Sequence, residues 1–196
     1  TPIEASPFLI FKLFANAFNR RPVRRVAMAY FPYMLCVLGL YVFVSANLSI
    51  RFGYGAIGSS VAMFLMGIGL AASSSMLVEP LNIRFSKRMI MFSCTVLFCI
   101  FISIFLLISS GPFALAIMLP VGVLHGIGYP TVLTGFSESV DKDEQGWVMG
   151  FATSLFTIAA ALVSFFGGQL IASVGPQAPF FFCLLYTSPS PRDSDS

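Results

Sequence analysis

The sequence predicts an all-α integral membrane protein, a polytopic helix bundle, and three observations carry that reading. Five long apolar spans, with a sixth cut short, succeed one another along the chain. The composition is 57% hydrophobic against 10% charged, too few charges to cover a water-facing surface, so lipid must solvate most of the protein. The basic residues are lopsided: Lys12, Arg20, Arg21, Arg24 and Arg25 precede the first span, Arg84, Lys87 and Arg88 follow the second, and Lys142 follows the fourth. Those loops all fall on one side, and Arg51 alone lies opposite. Basic residues near span ends are held back during insertion, so the loops around 20–25, 80–88 and 138–146 are expected in the cytoplasm of a multi-pass protein of the cell inner (plasma) membrane.

Residues 1–25 read as a cytoplasmic loop with an interfacial helix, because Phe8, Phe11, Phe14 and Phe18 recur at helical spacing with Lys12 and Asn16 between. The frayed end of a preceding span is the alternative. The helix bundle then occupies 26–182, with spans at about 26–46, 56–78, 89–109, 112–136 and 147–171 and a truncated one at 178–182. Each complete span is long enough to cross a core of about 30 Å at about 1.5 Å per residue. Short links such as Ser110-Gly111 and Gly175-Pro176-Gln177 make neighbouring spans antiparallel. Alternating strand patterns are missing, which excludes a β-barrel.

Residues 183–196 are read apart from the fold. The span breaks abruptly into CLLYTSPSPRD, whose back-translation resembles a transposase-type sequencing adapter, so native sequence is expected to stop at Phe182. Thr1 likewise reads as an interior position. The remaining Cys36, Cys94 and Cys99 all sit within apolar spans without metal spacing and read as packing residues.

The loop Glu79-Pro80-Leu81-Asn82-Ile83-Arg84-Phe85-Ser86-Lys87-Arg88 resembles Gly-x-Leu-x-Asp-Arg-x-Gly-Arg-Arg/Lys, the loop of major facilitator superfamily transporters, in its second-half copy. Leu81, Arg84, Lys87 and Arg88 match, whereas Glu79, Ile83 and Ser86 depart from Gly, Asp and Gly. Gly146-Trp147-Val148-Met149-Gly150, with the closing pair Gly167-Gly168, is similar to the family's eleventh helix. The resemblance covers nearly all of residues 10–182 and implies helices seven to eleven and the start of twelve, one six-helix half of such a transporter, with the N-terminal half missing. It implies transmembrane transport of a small organic solute by alternating access, driven by protons or another solute. A six-helix membrane scaffold or regulatory protein that moves nothing is the alternative.

Within the bilayer His125 is the ionisable side chain far from any span end, and such groups face a cavity or a partner. Gly122, His125 and Tyr129 share one helical face, flanked by glycines and prolines that can bend the helix. The resemblance places His125 and Tyr129 on the tenth helix and Tyr33 and Tyr41 on the seventh, both of which line the family's pathway, so these residues are the candidates for substrate or proton contact. Neutral helix packing is the other reading of each. Tyr30, near a span end, is expected in the interfacial belt. Arg84, Lys87 and Arg88 are the candidate conformational gate, or else a plain positive-inside anchor. Gly150, Ser154, Thr157, Ala161 and Ser164 form a small-residue stripe suited to close helix approach.

Other chemistry finds no support. Ser73, Ser74 and Ser75 have no base at their depth and should bond back to helix carbonyls, and the acidic run Glu138, Asp141, Asp143 and Glu144 lacks calcium-loop spacing. The run reads as a solvated loop with acids ahead of a helix N-terminus. No metal or cofactor motif, phosphate-cradling loop or catalytic dyad occurs, so no enzyme activity is expected, and the mild positive charge is not a nucleic-acid footprint. The expected partners are the lipid bilayer, the solute and the N-terminal half.

Overall fold

The computed structural model describes residues 14, 15 and 17–175. Phe8, Phe11, Lys12 and Asn16, the truncated sixth span and the 183–196 string lie outside those residues. The described chain folds as α1 (Arg21–Phe52), α2 (Ala56–Met76), α3 (Val78–Arg84), α4 (Lys87–Leu107), α5 (Gly111–Glu138), a 3-10 turn (Lys142–Glu144) and α6 (Gln145–Val174). All but α3 are long and apolar enough to cross a membrane. Large side chains such as Phe64, Phe92, Phe113 and Phe165 point outward, as a bundle solvated by lipid requires.

Local chemistry sets the helix ends. Pro22 and Pro112 occupy the first turns of α1 and α5, where a missing N–H is harmless. Gly53, at φ 68°, stops α1 in the left-handed conformation, with its N–H on the Ser49 carbonyl and that of Tyr54 on Leu48. At the start of α4 the Ser86 hydroxyl accepts a hydrogen bond from the Met89 N–H at 3.3 Å. The largest differences from the sequence reading are at α1 and in the 79–88 loop. Helix α1 starts ahead of residue 26 and runs past residue 46, and the 79–88 loop contains the short helix α3.

Helix α5 is the hub and touches every other helix. Its closest neighbour is α2, and glycines make that possible. A Cβ built on Gly122 would fall on the Met66 carbonyl, one on Gly126 on the Ser73 hydroxyl and the Leu70 backbone, and one on Gly69 of α2 on the Leu119 carbonyl. Gly122 therefore seats α2. Helix α4 lays Ile90, Cys94, Phe98, Ile102 and Phe105 into the core.

The far end of the bundle is tied by Arg51. Its guanidinium donates to the carbonyls of Phe105 (3.0 Å), Leu106 (2.9 Å) and Ile108 (2.7 Å), so a side chain of α1 caps the C-terminus of α4. At the basic end Arg20 pairs with Glu144 through two bonds of 2.5 and 2.7 Å and lies over the Trp147 ring. Lys87 pairs with Glu138. Two members of the acidic run thus hold helix ends together.

One expectation is corrected by packing. Tyr30 is only 1% exposed, edge-on to Phe136 at 5.4 Å, because the first turns of α1 are covered by aromatics of α5 and α6. In α6 the packed face is Val148, Phe151, Ala152, Leu155 and Ala159, which leaves the small-residue stripe without close approach among the described residues. Ser73, Ser74 and Ser75 do bond back to carbonyls of their own helix.

Because the Met66 carbonyl cannot move without unwinding α2, Gly122→Ala is expected to destabilise the protein by about 2–3 kcal/mol. Gly135→Ala, whose Cβ would meet only Val26 side-chain carbons at ordinary distance, is expected to be near neutral. Thermal unfolding of the two variants in detergent reads the difference.

Candidate functional site

Helix periodicity puts His125 and Tyr129 one turn apart on α5, and α1 brings Tyr33 and Tyr41 to the same place. The His125 ring lies 6.2 Å from that of Tyr33, 5.8 Å from that of Tyr41 and 5.6 Å from that of Tyr129, centre to centre. All the candidates within the bilayer therefore converge on one imidazole. Tyr33 Oη stands 3.2 Å from His125 Nδ1, a hydrogen bond whose direction follows the imidazole tautomer. When Tyr33 donates, the imidazole hydrogen is on Nε2; when it accepts, the hydrogen is on Nδ1. No ion pair reaches His125 among the described residues, so its surroundings are aromatic and hydroxylic, not charged.

The four residues differ in access. Tyr33 is buried at 1% exposure, edge-on to Phe98 of α4, while Tyr129 is 36% exposed. Tyr33 is thus the fixed member, and Tyr129 faces out of the bundle. The seat of Tyr33 depends on Gly128: a Cβ there would lie 2.7 Å from its Oη and 3.1 Å from its Cζ. Gly128 and Phe98 were not singled out as site residues from the sequence. The Gly126-Ile-Gly128 spacing beside His125 was the available signal, but which side chain fills the space above a glycine is decided by another helix.

The gate candidates separate. Lys87 is engaged with Glu138 of α5, whereas Arg84 and Arg88 are exposed and make no ion pair among the described residues. Two open grooves also lie away from the imidazole cluster. One is lined by Ala56, Ser60 and Phe64 at the start of α2, and the other lies between α1, α6 and the residues ahead of α1.

An all-helical bundle with five apolar spans, lipid-type outer faces and polar side chains gathered between two of its helices is a multi-pass membrane protein. The profile of the Major Facilitator Superfamily matches residues 26–187, most of the chain. The chain belongs to that superfamily, and membrane transport of solutes goes with it. No curated protein and no solved structure matches the chain.

If Gly128 acts by seating the Tyr33 hydroxyl, Gly128→Ala and Tyr33→Phe will be strongly non-additive, with a coupling of about 1–2 kcal/mol. Thermal unfolding gives the cycle, and the ¹⁵N shifts of the His125 ring report the loss of the Tyr33 hydrogen bond in each single variant. Additive effects would show that Gly128 acts elsewhere.

Proposed function

We propose that the chain is the C-terminal six-helix half of a secondary transporter that moves a small organic solute by alternating access, coupled to protons or to a second solute. The observation that carries this reading is the convergence of His125, Tyr33, Tyr41 and Tyr129 between α1 and α5 in a chain of this superfamily. Three aromatic faces and an imidazole offer stacking, hydrogen bonding and a proton acceptor within one site.

The N-terminal half has a surface to pack against. Ser60, Gly67, Ala71 and Ser74 form an exposed stripe on α2, and Gly150, Thr157, Ala161 and Ser164 form another on α6. Small residues let helix backbones approach closely, and these two stripes are unused inside the described bundle. At the basic end, which we place in the cytoplasm of the inner membrane, Lys87 is held by Glu138. Arg84 and Arg88 remain exposed, in reach of the moving half, and bias the rocking there. The alternative of a scaffold that moves nothing is not favoured by membership of a transporter superfamily.

In proteoliposomes of the full-length protein, His125→Gln is expected to cut solute uptake at least about tenfold or to abolish its change over about pH 5 to 8. Uptake would be followed with the best-transported compound of a panel of neutral and aromatic solutes. Uptake and pH profile equal to those of the unaltered protein would remove His125 from the pathway.

A further inference from the structure

The short helix α3 is lightly held. It lies between two breaks, one at Leu77, whose N–H closes α2 on the Ser73 carbonyl, and one at the extended residues Phe85 and Ser86 ahead of α4. None of its side chains is fully buried, and Leu81 is the one that packs against the core, half-buried. The residue next to that anchor is polar, Asn82, and it faces the hub helix α5.

Half of the Asn82 amide is satisfied and half is not. Nδ2 donates to the Val78 carbonyl of the same helix at 2.8 Å and lies 3.5 Å from Thr131 Oγ1 of α5. Oδ1 is buried with no hydrogen-bond partner among the described residues. Turning the amide over does not cure this. The oxygen would then face the Val78 carbonyl, the Thr131 hydroxyl is already committed to the Ile127 carbonyl at 2.7 Å, and Nδ2 would take the unpaired place. Oδ1 is packed too closely for water to reach it while α3 stays on α5. The seated helix therefore carries a dehydrated, unpaired amide oxygen, a cost that ends once α3 moves off and the oxygen is hydrated.

We infer that Asn82 is a release device built into the 79–88 loop: its unpaired oxygen penalises the seated α3 and biases the helix to lift from α5, carrying Arg84 with it. A penalty present in one state and absent from the other shifts the equilibrium between them by its full size. Leu81 opposes the bias by holding α3 on the core, and the breaks at Leu77 and Phe85 let α3 move without unwinding α2 or α4. The place of this movement in transport rests on the proposed gating role of Arg84, Lys87 and Arg88, whereas the bias itself follows from the seat of Asn82 alone.

Hydrogen exchange of the α3 amides, followed by mass spectrometry on the full-length protein in nanodiscs, tests the bias by its sign. Asn82→Leu is of similar size and removes the orphan oxygen, and Thr131 keeps its own bond to Ile127. Exchange over residues 81–85 should slow at least about fivefold. The better helix propensity of leucine accounts for about twofold of that. Asn82→Met, more flexible and also apolar, repeats the test if the leucine variant does not fold. Exchange that slows by no more than about twofold, or that quickens, would show that Asn82 is a plain tether and overturn the inference. Solute uptake by the same variant in proteoliposomes is read separately. Slower uptake with slower exchange is the expected result, while slower exchange with unchanged uptake upholds the release device and removes the loop from gating.

Discussion

The contact on which the rest of the bundle depends is the crossing of α2 over α5, where Gly122 and Gly126 present bare backbone to Met66 and Leu70. Without hydrocarbon-excluding water inside a membrane, helices gain by van der Waals contact, and contact improves when no side chain stands between backbones. With α2 drawn in this closely, α5 becomes the element that every other helix touches. Its remaining faces receive the α4 stripe around Phe98 and the tyrosines of α1.

That central position explains how a polar cluster is tolerated within an apolar bundle. A lone imidazole in hydrocarbon would leave hydrogen-bonding groups unsatisfied, and Tyr33 supplies a partner for Nδ1. Gly128 leaves room for that hydroxyl, so one helix provides both the imidazole and the space its partner needs. The ends of the bundle are secured separately. Arg51 caps α4 at one end, and Arg20 with Glu144 and Lys87 with Glu138 join helix ends at the other. Ties at the ends and a satisfied pair in the middle suit a unit that moves as one body, as the proposed mechanism requires.

Much of the fold was legible because membrane helices announce themselves locally. Apolar length locates the five spans, and the family resemblance rested on Arg84, Lys87, Arg88 and the Gly146-to-Gly150 pattern, which lie near the basic end. His125 was legible as the ionisable group far from span ends, and helical periodicity paired it with Tyr129. What escaped depends on partners distant in sequence. Arg51 reads as a lone cation until the C-terminus of α4 is seen beside it. The acidic run reads as solvated until Arg20 and Lys87 arrive from other helices. The glycines around His125 read as allowing a bend and the small residues of α6 as allowing close approach, yet the close approach is at Gly122 and Gly126 and the α6 residues stay uncovered within the described bundle, because spacing alone does not say which small residues meet another helix.

The central claim is that the α5 face bearing His125 and Tyr129 borders a water-filled solute path instead of lipid. Thiol accessibility decides this most directly: Tyr129→Cys and the outward-facing control Phe165→Cys are each exposed to a membrane-impermeant methanethiosulfonate in intact proteoliposomes. Tyr129→Cys should be modified, and at a rate that falls when a transported solute is present, while Phe165→Cys stays unreactive. A Tyr129→Cys protein as inert as the Phe165→Cys control would place that face in lipid and contradict the claim.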